Sequence, residues 1–149
     1  MEEKEISIRR VNINDFDKLT ELSEKCFPGD EVPLIIKSLI DIEHFYVIEN
    51  HLLDKIIGFV IFGIFSIKTA HLMILAVHPE YQRKGYGSAL LEKTIETVKL
   101  SPIKLIRLEV KTTNLPAIKF YEKYGFKIAT TIKNYYEDNS DAFLMLKQI

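Results

Sequence analysis

The sequence predicts an α/β protein: a mixed, mostly antiparallel sheet with helices on both faces. Three observations carry that reading. The apolar pattern alternates along the chain between a period of two and a period near 3.6, giving the order β-α-α-β-β-β-α-β-α-β-β. Some neighbouring strand segments are separated only by short polar turns, as in hairpins, while others are bridged by helix-length segments, as in crossovers. The 149 residues, 47% hydrophobic and 28% charged, suit one compact core and leave no room for a second.

Ile6, Ile8 and Arg10 alternate with Ser7 and Arg9 as a first strand. Asn14 is placed to cap a helix with Phe16, Leu19, Leu22 and Ser23 along one side, and Phe27-Pro28-Gly29-Asp30 breaks it. A second helix covers 32–42 and carries Leu34, Ile35, Ser38, Leu39 and Ile42. Residues 45–49 form a short strand, 50–55 a turn, and 56–65 a longer strand of branched and aromatic residues. Residues 70–77 form a central strand, followed by a glycine-bearing loop and a helix with Leu90, Leu91, Ile95 and Val98 at helical spacing, ended by Ser101-Pro102. The next strand, 103–110, contains Leu105, Ile106, Leu108 and Val110. Asn114 starts a helix with Pro116 early in it, where a missing N–H is harmless. Ala117, Ile118, Phe120 and Tyr121 line that helix up to Gly125 as its stop. Two strands, 126–132 and 143–146, close the chain around a polar turn at 134–141, and no repeat or low-complexity linker interrupts it.

A formal net charge of -1 gives no electrostatic footprint for nucleic acid, and no polybasic segment marks a membrane surface. The longest apolar stretch, 56–67, is too short and interrupted to span a bilayer. The single Cys26 cannot form an intramolecular disulfide, and Met1-Glu2-Glu3-Lys4-Glu5 lacks the basic and apolar regions of a secretory signal. A reducing cytoplasm is therefore expected, with Cys26 as a small buried residue rather than a nucleophile.

The chemistry becomes readable from Val77 to Leu91, where an apolar strand ends, two glycines follow and a helical pattern begins. A helix start leaves backbone N–H groups without intrahelical partners and adds partial positive charge, so a loop in which Gly85 and Gly87 give clearance can hold phosphate oxygens. No Gly-Lys-Ser/Thr follows, which excludes the nucleotide-triphosphate loop. Gln82-Arg83-Lys84-Gly85-Tyr86-Gly87 resembles the Gln/Arg-x-x-Gly-x-Gly/Ala signature of the Gcn5-related N-acetyltransferases, preceded here by Val77-His78-Pro79-Glu80-Tyr81 as a Val-x-Pro-x-Tyr approach. A second block is similar to the same family: Leu108-Glu109-Val110, then Asn114, Ala117, Tyr121 and Gly125-Phe126.

The resemblance covers nearly the whole length and implies one acetyltransferase domain over 1–149, with strands 70–77 and 103–110 splayed apart. It implies acetyl-CoA as cosubstrate and no metal. The backbone of Leu75, Ala76 and Val77 would pair with the pantetheine arm, and Gln82, Arg83, Lys84, Gly85, Tyr86, Gly87 and Ser88 would hold the pyrophosphate, with Asn114, Ala117 and Tyr121 completing the cofactor contacts.

Transfer to an amine requires a neutral nucleophile, a stabilised oxyanion and a proton for the departing thiolate. Glu109 is the candidate base, directly or through water; a backbone N–H near Val77 would polarise the thioester carbonyl; Tyr121 is the candidate acid; His71 is a fallback base or a structural histidine. Asn134-Tyr135-Tyr136 is similar to the paired-tyrosine segment of the protein N-terminal acetyltransferases, ribosomal-protein alanine N-acetyltransferases included, and Phe27-Pro28 falls where that branch lines its peptide entry. That branch implies a protein or peptide N-terminus as substrate. An α-amine with pKa near 8 needs about 1.4 kcal/mol to be neutral at pH 7, a lysine near 10.4 about 4.6 kcal/mol, and one carboxylate base suits the easier task. A small-molecule amine, a protein lysine and a non-catalytic acyl-CoA-binding module remain open alternatives.

Overall fold

The structure, a computed structural model, describes residues 5–42, 44–64 and 66–149; the expectations for residues 1–4 and for Phe65 lie outside them. The observed elements follow the expected order: β1 (Ile6–Arg10), α1 (Phe16–Cys26), α2 (Val32–Leu39), β2 (Phe45–Asn50), β3 (Lys55–Ile64), β4 (Thr69–Val77), α3 (Tyr86–Lys99), β5 (Leu105–Lys111), α4 (Leu115–Lys123), β6 (Lys127–Ile132) and β7 (Ala142–Gln148). The strands form one seven-stranded mixed sheet in the order β1-β2-β3-β4-β5-β7-β6. Antiparallel pairs join β1 to β2, β2 to β3, β5 to β7 and β6 to β7, while β4 and β5 run parallel, as their α3 crossover requires. The parallel ladder pairs Thr69, Ala70 and His71 with Leu105, Ile106 and Arg107. Among the described residues no helix is long and apolar enough to cross a membrane.

Contacts gather into two compact units, Met1–Gly63 with Ile74–Glu96, and Ile64–Met73 with Thr97–Ile149. In the first, β3 is buried at every position from Ile56 to Gly63, so its unbroken apolar run marks a strand covered on both faces. Phe45, Val47, Phe59 and Ile61 of the strands are buried in this unit, as are Leu19 and Leu22 of α1 and Ile36 of α2. Gly58 is required by close approach, since a Cβ there would lie 2.7 Å from the Ala76 carbonyl oxygen. Arg9 of β1 binds both Asp15 oxygens at 2.8 and 2.9 Å, and its Nε donates to Glu49 of β2 at 2.8 Å, tying sheet edge to helix entry.

The cap of that entry is Asn12, not Asn14. The Asn12 side chain accepts the Asn14 N–H, and the Asp15 carboxylate accepts the Asn12 N–H, which closes a capping box around a 3-10 turn before α1. The second helix also ends at Leu39, three residues before the expected Ile42.

In the second unit β5 shows a clean alternation: Ile106, Leu108 and Val110 are buried, whereas Arg107, Glu109 and Lys111 point to the opposite side. β7 lies between β5 and β6, with Glu109 opposite Leu144 and Ile132 opposite Ala142. Asn114 accepts the Ala117 N–H at 3.3 Å as the N-cap of α4, and Gly125, at φ +90°, turns the chain out of it. Lys147 Nζ donates to the Tyr124 carbonyl at 2.7 Å, satisfying an acceptor that the helix end leaves open.

Candidate functional site

The glycine loop is built inside the first unit. His78, 4% exposed, caps the short 3-10 turn before it by accepting the Glu80 N–H on Nδ1 at 3.1 Å. Gln82 folds back to donate its side-chain amide to the Val77 carbonyl at 3.1 Å. Arg83 and Gly85 both take positive φ, +61° and +90°, and Gly85 accepts the Ala89 N–H at 3.0 Å. Gly85 therefore immediately precedes α3, whose first N–H groups, on Tyr86, Gly87 and Ser88, have no acceptor inside the helix. A Cβ placed on Gly85 would meet no atom within 4 Å, so the space over the loop is open and the left-handed backbone, not crowding, selects glycine. Open space, converging N–H donors and the exposed Arg83 and Lys84 fit a pyrophosphate. Lys84 Nζ lies 5.5 Å from the Tyr81 ring centre, and Lys55 Nζ 5.1 Å.

Of the strand residues before the loop, Ala76 is buried while Leu75 and Val77 are half-buried. The Val77 carbonyl is already engaged, accepting from both Gln82 and the Cys26 thiol, the latter at 3.4 Å. Burial pushes the Cys26 thiol up to about 11, in keeping with a structural cysteine. Phe27 is the half-buried C-cap of α1, and Pro28 is exposed.

The acid–base candidates all lie in the second unit. Glu109 accepts a hydrogen bond of 2.6 Å from His71 Nε2, and its other oxygen lies 3.9 Å from Arg107 Nη1. Arg107 Nη2 approaches His71 Nδ1 at 3.5 Å, so guanidinium, imidazole and carboxylate form a chain across β4 and β5. The Glu109 side chain is only 9% exposed, and burial pushes its carboxyl up; the His71 hydrogen bond and the charges of His71 and Arg107 outweigh that and hold it below the ordinary value. His71, which the sequence left between base and structural residue, is thus bonded directly to the candidate base.

Tyr121, 9% exposed, packs edge-on to Phe120 and Phe126, and burial, then the charge of Tyr136, pushes its hydroxyl up to about 12. It is a reliably protonated phenol at neutral pH. In the β6–β7 turn Tyr135 and Tyr136 stand edge to face with ring centres 4.9 Å apart. Burial first, then Tyr135, Glu109 and Asp138, pushes Tyr136 up to about 12; burial and Glu109 also raise Tyr135, against Arg107. The field of Glu109 therefore reaches both hydroxyls.

Asp141 pins this turn by accepting the Asn134 N–H at 2.9 Å, and Asn134 takes φ +54°, a conformation that asparagine tolerates. Lys111 Nζ adds a 3.2 Å ion pair to Asp138 and lies 5.2 Å from the Tyr136 ring centre. The expected Glu109, Tyr121, Tyr135 and Tyr136 thus share one unit, with Asn114 and Ala117 used in the cap of α4. Arg107 is the residue that sequence reasoning missed; its position two before Glu109, hence on the same strand face, was the available signal. Among the described residues no group of three or more His, Cys, Asp or Glu is arranged to hold a metal.

The chain is 31% identical to an N-alpha-acetyltransferase of Sulfurisphaera tokodaii, over 95% of this chain and 92% of that protein. Ard1 from Thermoplasma volcanium superposes with a TM-score of 0.89 at 28% identity, covering 97% of this chain and 98% of Ard1. Arabidopsis thaliana Naa50, solved with the bisubstrate analogue CoA-Ac-MVNAL, gives a TM-score of 0.83 at 27% identity over 97% of this chain and 99% of Naa50. The model of the acetyltransferase (GNAT) family matches residues 16–126, a span that contains the glycine loop, His71, Glu109 and Tyr121, and the chain belongs to that family.

Proposed function

We propose that residues 1–149 act as one catalytic domain that transfers an acetyl group from acetyl-CoA to the N-terminal α-amine of a protein or peptide, by direct attack in a ternary complex. The observation that carries this reading is Glu109, a shielded carboxylate held ionised by His71 at 2.6 Å with two tyrosine hydroxyls in its field. The relatives named N-alpha-acetyltransferase, and the peptide-bearing analogue bound by Naa50, support the choice of an α-amine.

Acetyl-CoA, when bound, supplies the activated acetyl thioester. The N–H groups and side chains of the 82–88 loop hold its pyrophosphate, Leu75, Ala76 and Val77 run beside its pantetheine arm, and Asn114, Ala117 and Tyr121 complete its contacts. Glu109 Oε takes the proton of the incoming ammonium, directly or through one water, and His71 Nε2 fixes the orientation of that carboxylate. A β4 backbone N–H near Val77 stabilises the oxyanion. Tyr121 Oη, a phenol that burial pushes up to about 12, gives its proton to the leaving sulfur and regains one from the nitrogen as the tetrahedral adduct collapses to the amide, while Glu109 releases its proton to solvent. The resemblance assigns peptide contacts to Phe27 and Pro28 and to Tyr135 and Tyr136.

The test compares a peptide with a free N-terminus against its N-terminally blocked, lysine-containing counterpart, with acetyl incorporation located by mass spectrometry. Acetylation of the free α-amine alone is the expected result. Acetylation of the blocked peptide at lysine, or of small amines only, would overturn the α-amine assignment, and tight acetyl-CoA binding without transfer to any amine would leave a binding module.

A further inference from the structure

Beside the His71–Glu109 pair the second unit opens into a cavity of about 270 Å³ lined by Ser66, Thr69, His71 and Arg107. The register explains the grouping: Thr69 and His71 are alternate residues of β4, and His71 pairs with Arg107 of β5. Among the described residues the lining holds no acidic and no large apolar side chain. Ser66 Oγ accepts the N–H groups of Lys68 at 3.4 Å and Thr69 at 3.1 Å, which leaves its own hydroxyl hydrogen to donate. Two exposed lysines meet at the same strand ends, where the Lys104 N–H donates to the Lys68 carbonyl.

Glu109, a nearby anion, does not line this cavity and engages two residues that do, with one oxygen on His71 at 2.6 Å and the other 3.9 Å from Arg107. The Arg107 side chain is 45% exposed, and among the described residues its polar approaches, at 3.5 and 3.9 Å, use only part of a fork of five N–H donors. A planar fork with free donors beside two hydroxyls is a receptor for a carboxylate.

We infer that this pocket receives a side-chain carboxylate from one of the first two residues of the acceptor, so that the enzyme selects acidic N-terminal segments. The inference rests on the α-amine reading above. An amine reacting at Glu109 carries its own Cα about 1.5 Å from the nitrogen and the second residue's Cα about 3.8 Å beyond that, and the Arg107 guanidinium is itself only 3.9 Å from Glu109. A carboxylate there replaces water around a half-exposed guanidinium, a charge-assisted contact that favours the acidic peptide by about tenfold or more.

The experiment measures kcat/KM on C-terminally amidated peptides carrying Asp, Asn or Lys at residue 1 or residue 2, for wild type, Arg107→Gln, Arg107→Glu and Thr69→Val. Wild type should prefer Asp over Asn by about tenfold at one of the two positions and use Lys least. Arg107→Gln should bring the Asp/Asn ratio near one, Thr69→Val should reduce it, and Arg107→Glu should invert the order in favour of Lys. If Arg107 served only to position Glu109 and His71, Arg107→Gln would lower all peptides by the same factor with the ratio unchanged, and the inference would be overturned. Should Arg107→Glu not fold, the ratios for Arg107→Gln and Thr69→Val decide. A wild-type preference for free-acid Ser-Asn over its amide, without preference for a side-chain Asp, would assign the pocket to a terminal carboxylate and overturn the side-chain proposal. Equal use of all peptides overturns the pocket while the α-amine reading stands; transfer to none of them, with transfer to small amines, overturns both.

Discussion

Replacing Glu109 by glutamine removes one charge and little else. The amide keeps an oxygen to accept the 2.6 Å hydrogen bond from His71 Nε2, and the strand position opposite Leu144 is unchanged, so the fold should persist. What is lost is the proton acceptor, and the single-turnover rate should fall about a hundred- to ten-thousand-fold, or roughly 2.7–5.4 kcal/mol in the barrier. The pH profile then separates chemistry from damage. Burial pushes the Glu109 carboxyl up, but His71 and Arg107 hold it below the ordinary value, so wild-type activity is present at neutral pH and is lost only as pH falls through that depressed value. This limb lies well below the one set by the acceptor amine near pH 8. It should vanish in Glu109→Gln. In His71→Leu the hydrogen bond is gone, burial dominates, and the limb should move to higher pH.

Stability follows the same sign: the Glu109 contribution is present above the unfolded carboxyl pKa and fades as pH falls through the folded one, so wild type and Glu109→Gln should converge in acid. Rapid-quench single turnover across about pH 4 to 9 is the assay, because slow product release would mask chemistry in steady state. Full single-turnover activity in Glu109→Gln, or an unmoved limb in His71→Leu, would refute the assignment.

The loop can be tested against its own strain. Gly85 and Gly29 both have positive φ, +90° and +80°, with no atom within 4 Å of a built Cβ, so alanine at either should lower stability by about 1–2 kcal/mol. Only Gly85→Ala should also weaken acetyl-CoA in a calorimetric titration, and unchanged affinity there would remove the loop from the cofactor site. Tyr135→Ala and Tyr136→Ala should each reduce kcat/KM for a free-N-terminus peptide by up to about tenfold, corresponding to one lost hydrogen bond of about 0.5–1.5 kcal/mol, and leave a small primary amine unaffected. Equal losses on both substrates would argue against a peptide clamp. Asn12→Ala should lower unfolding free energy in urea by about 0.5–2 kcal/mol as a lost cap, while Asn14→Ala should stay within about 0.5 kcal/mol; the reverse order would contradict the observed capping box.

The order of elements was legible in the sequence because it rests on local periodicity: the alternation of Ile106, Leu108 and Val110 with Arg107 and Glu109 needs no partner strand to be read. The glycine loop and the Asn114 to Gly125 helix were legible for a related reason, since caps, positive-φ turns and helix starts are decided within a few residues. Where two local solutions competed, the sequence pointed to the wrong one: Asn12 and Asn14 are both good caps, and the choice fell to Asn12 because Asp15, anchored by Arg9 of β1, closes the box from its other end. The end of α2 at Leu39 rather than Ile42 is also beyond what helical periodicity alone resolves.

The acid–base pair lay further out of reach. Glu109 was recognisable by its motif, but 38 residues separate it from His71, and only the parallel pairing of β4 with β5 brings imidazole and carboxylate to 2.6 Å. The same pairing sets Arg107 beside both and opens the pocket with Ser66 and Thr69. Sequence alone determined which residue types stand on which strand face; the register between distant strands, fixed by the hydrogen bonding of the whole sheet, decided which of them meet.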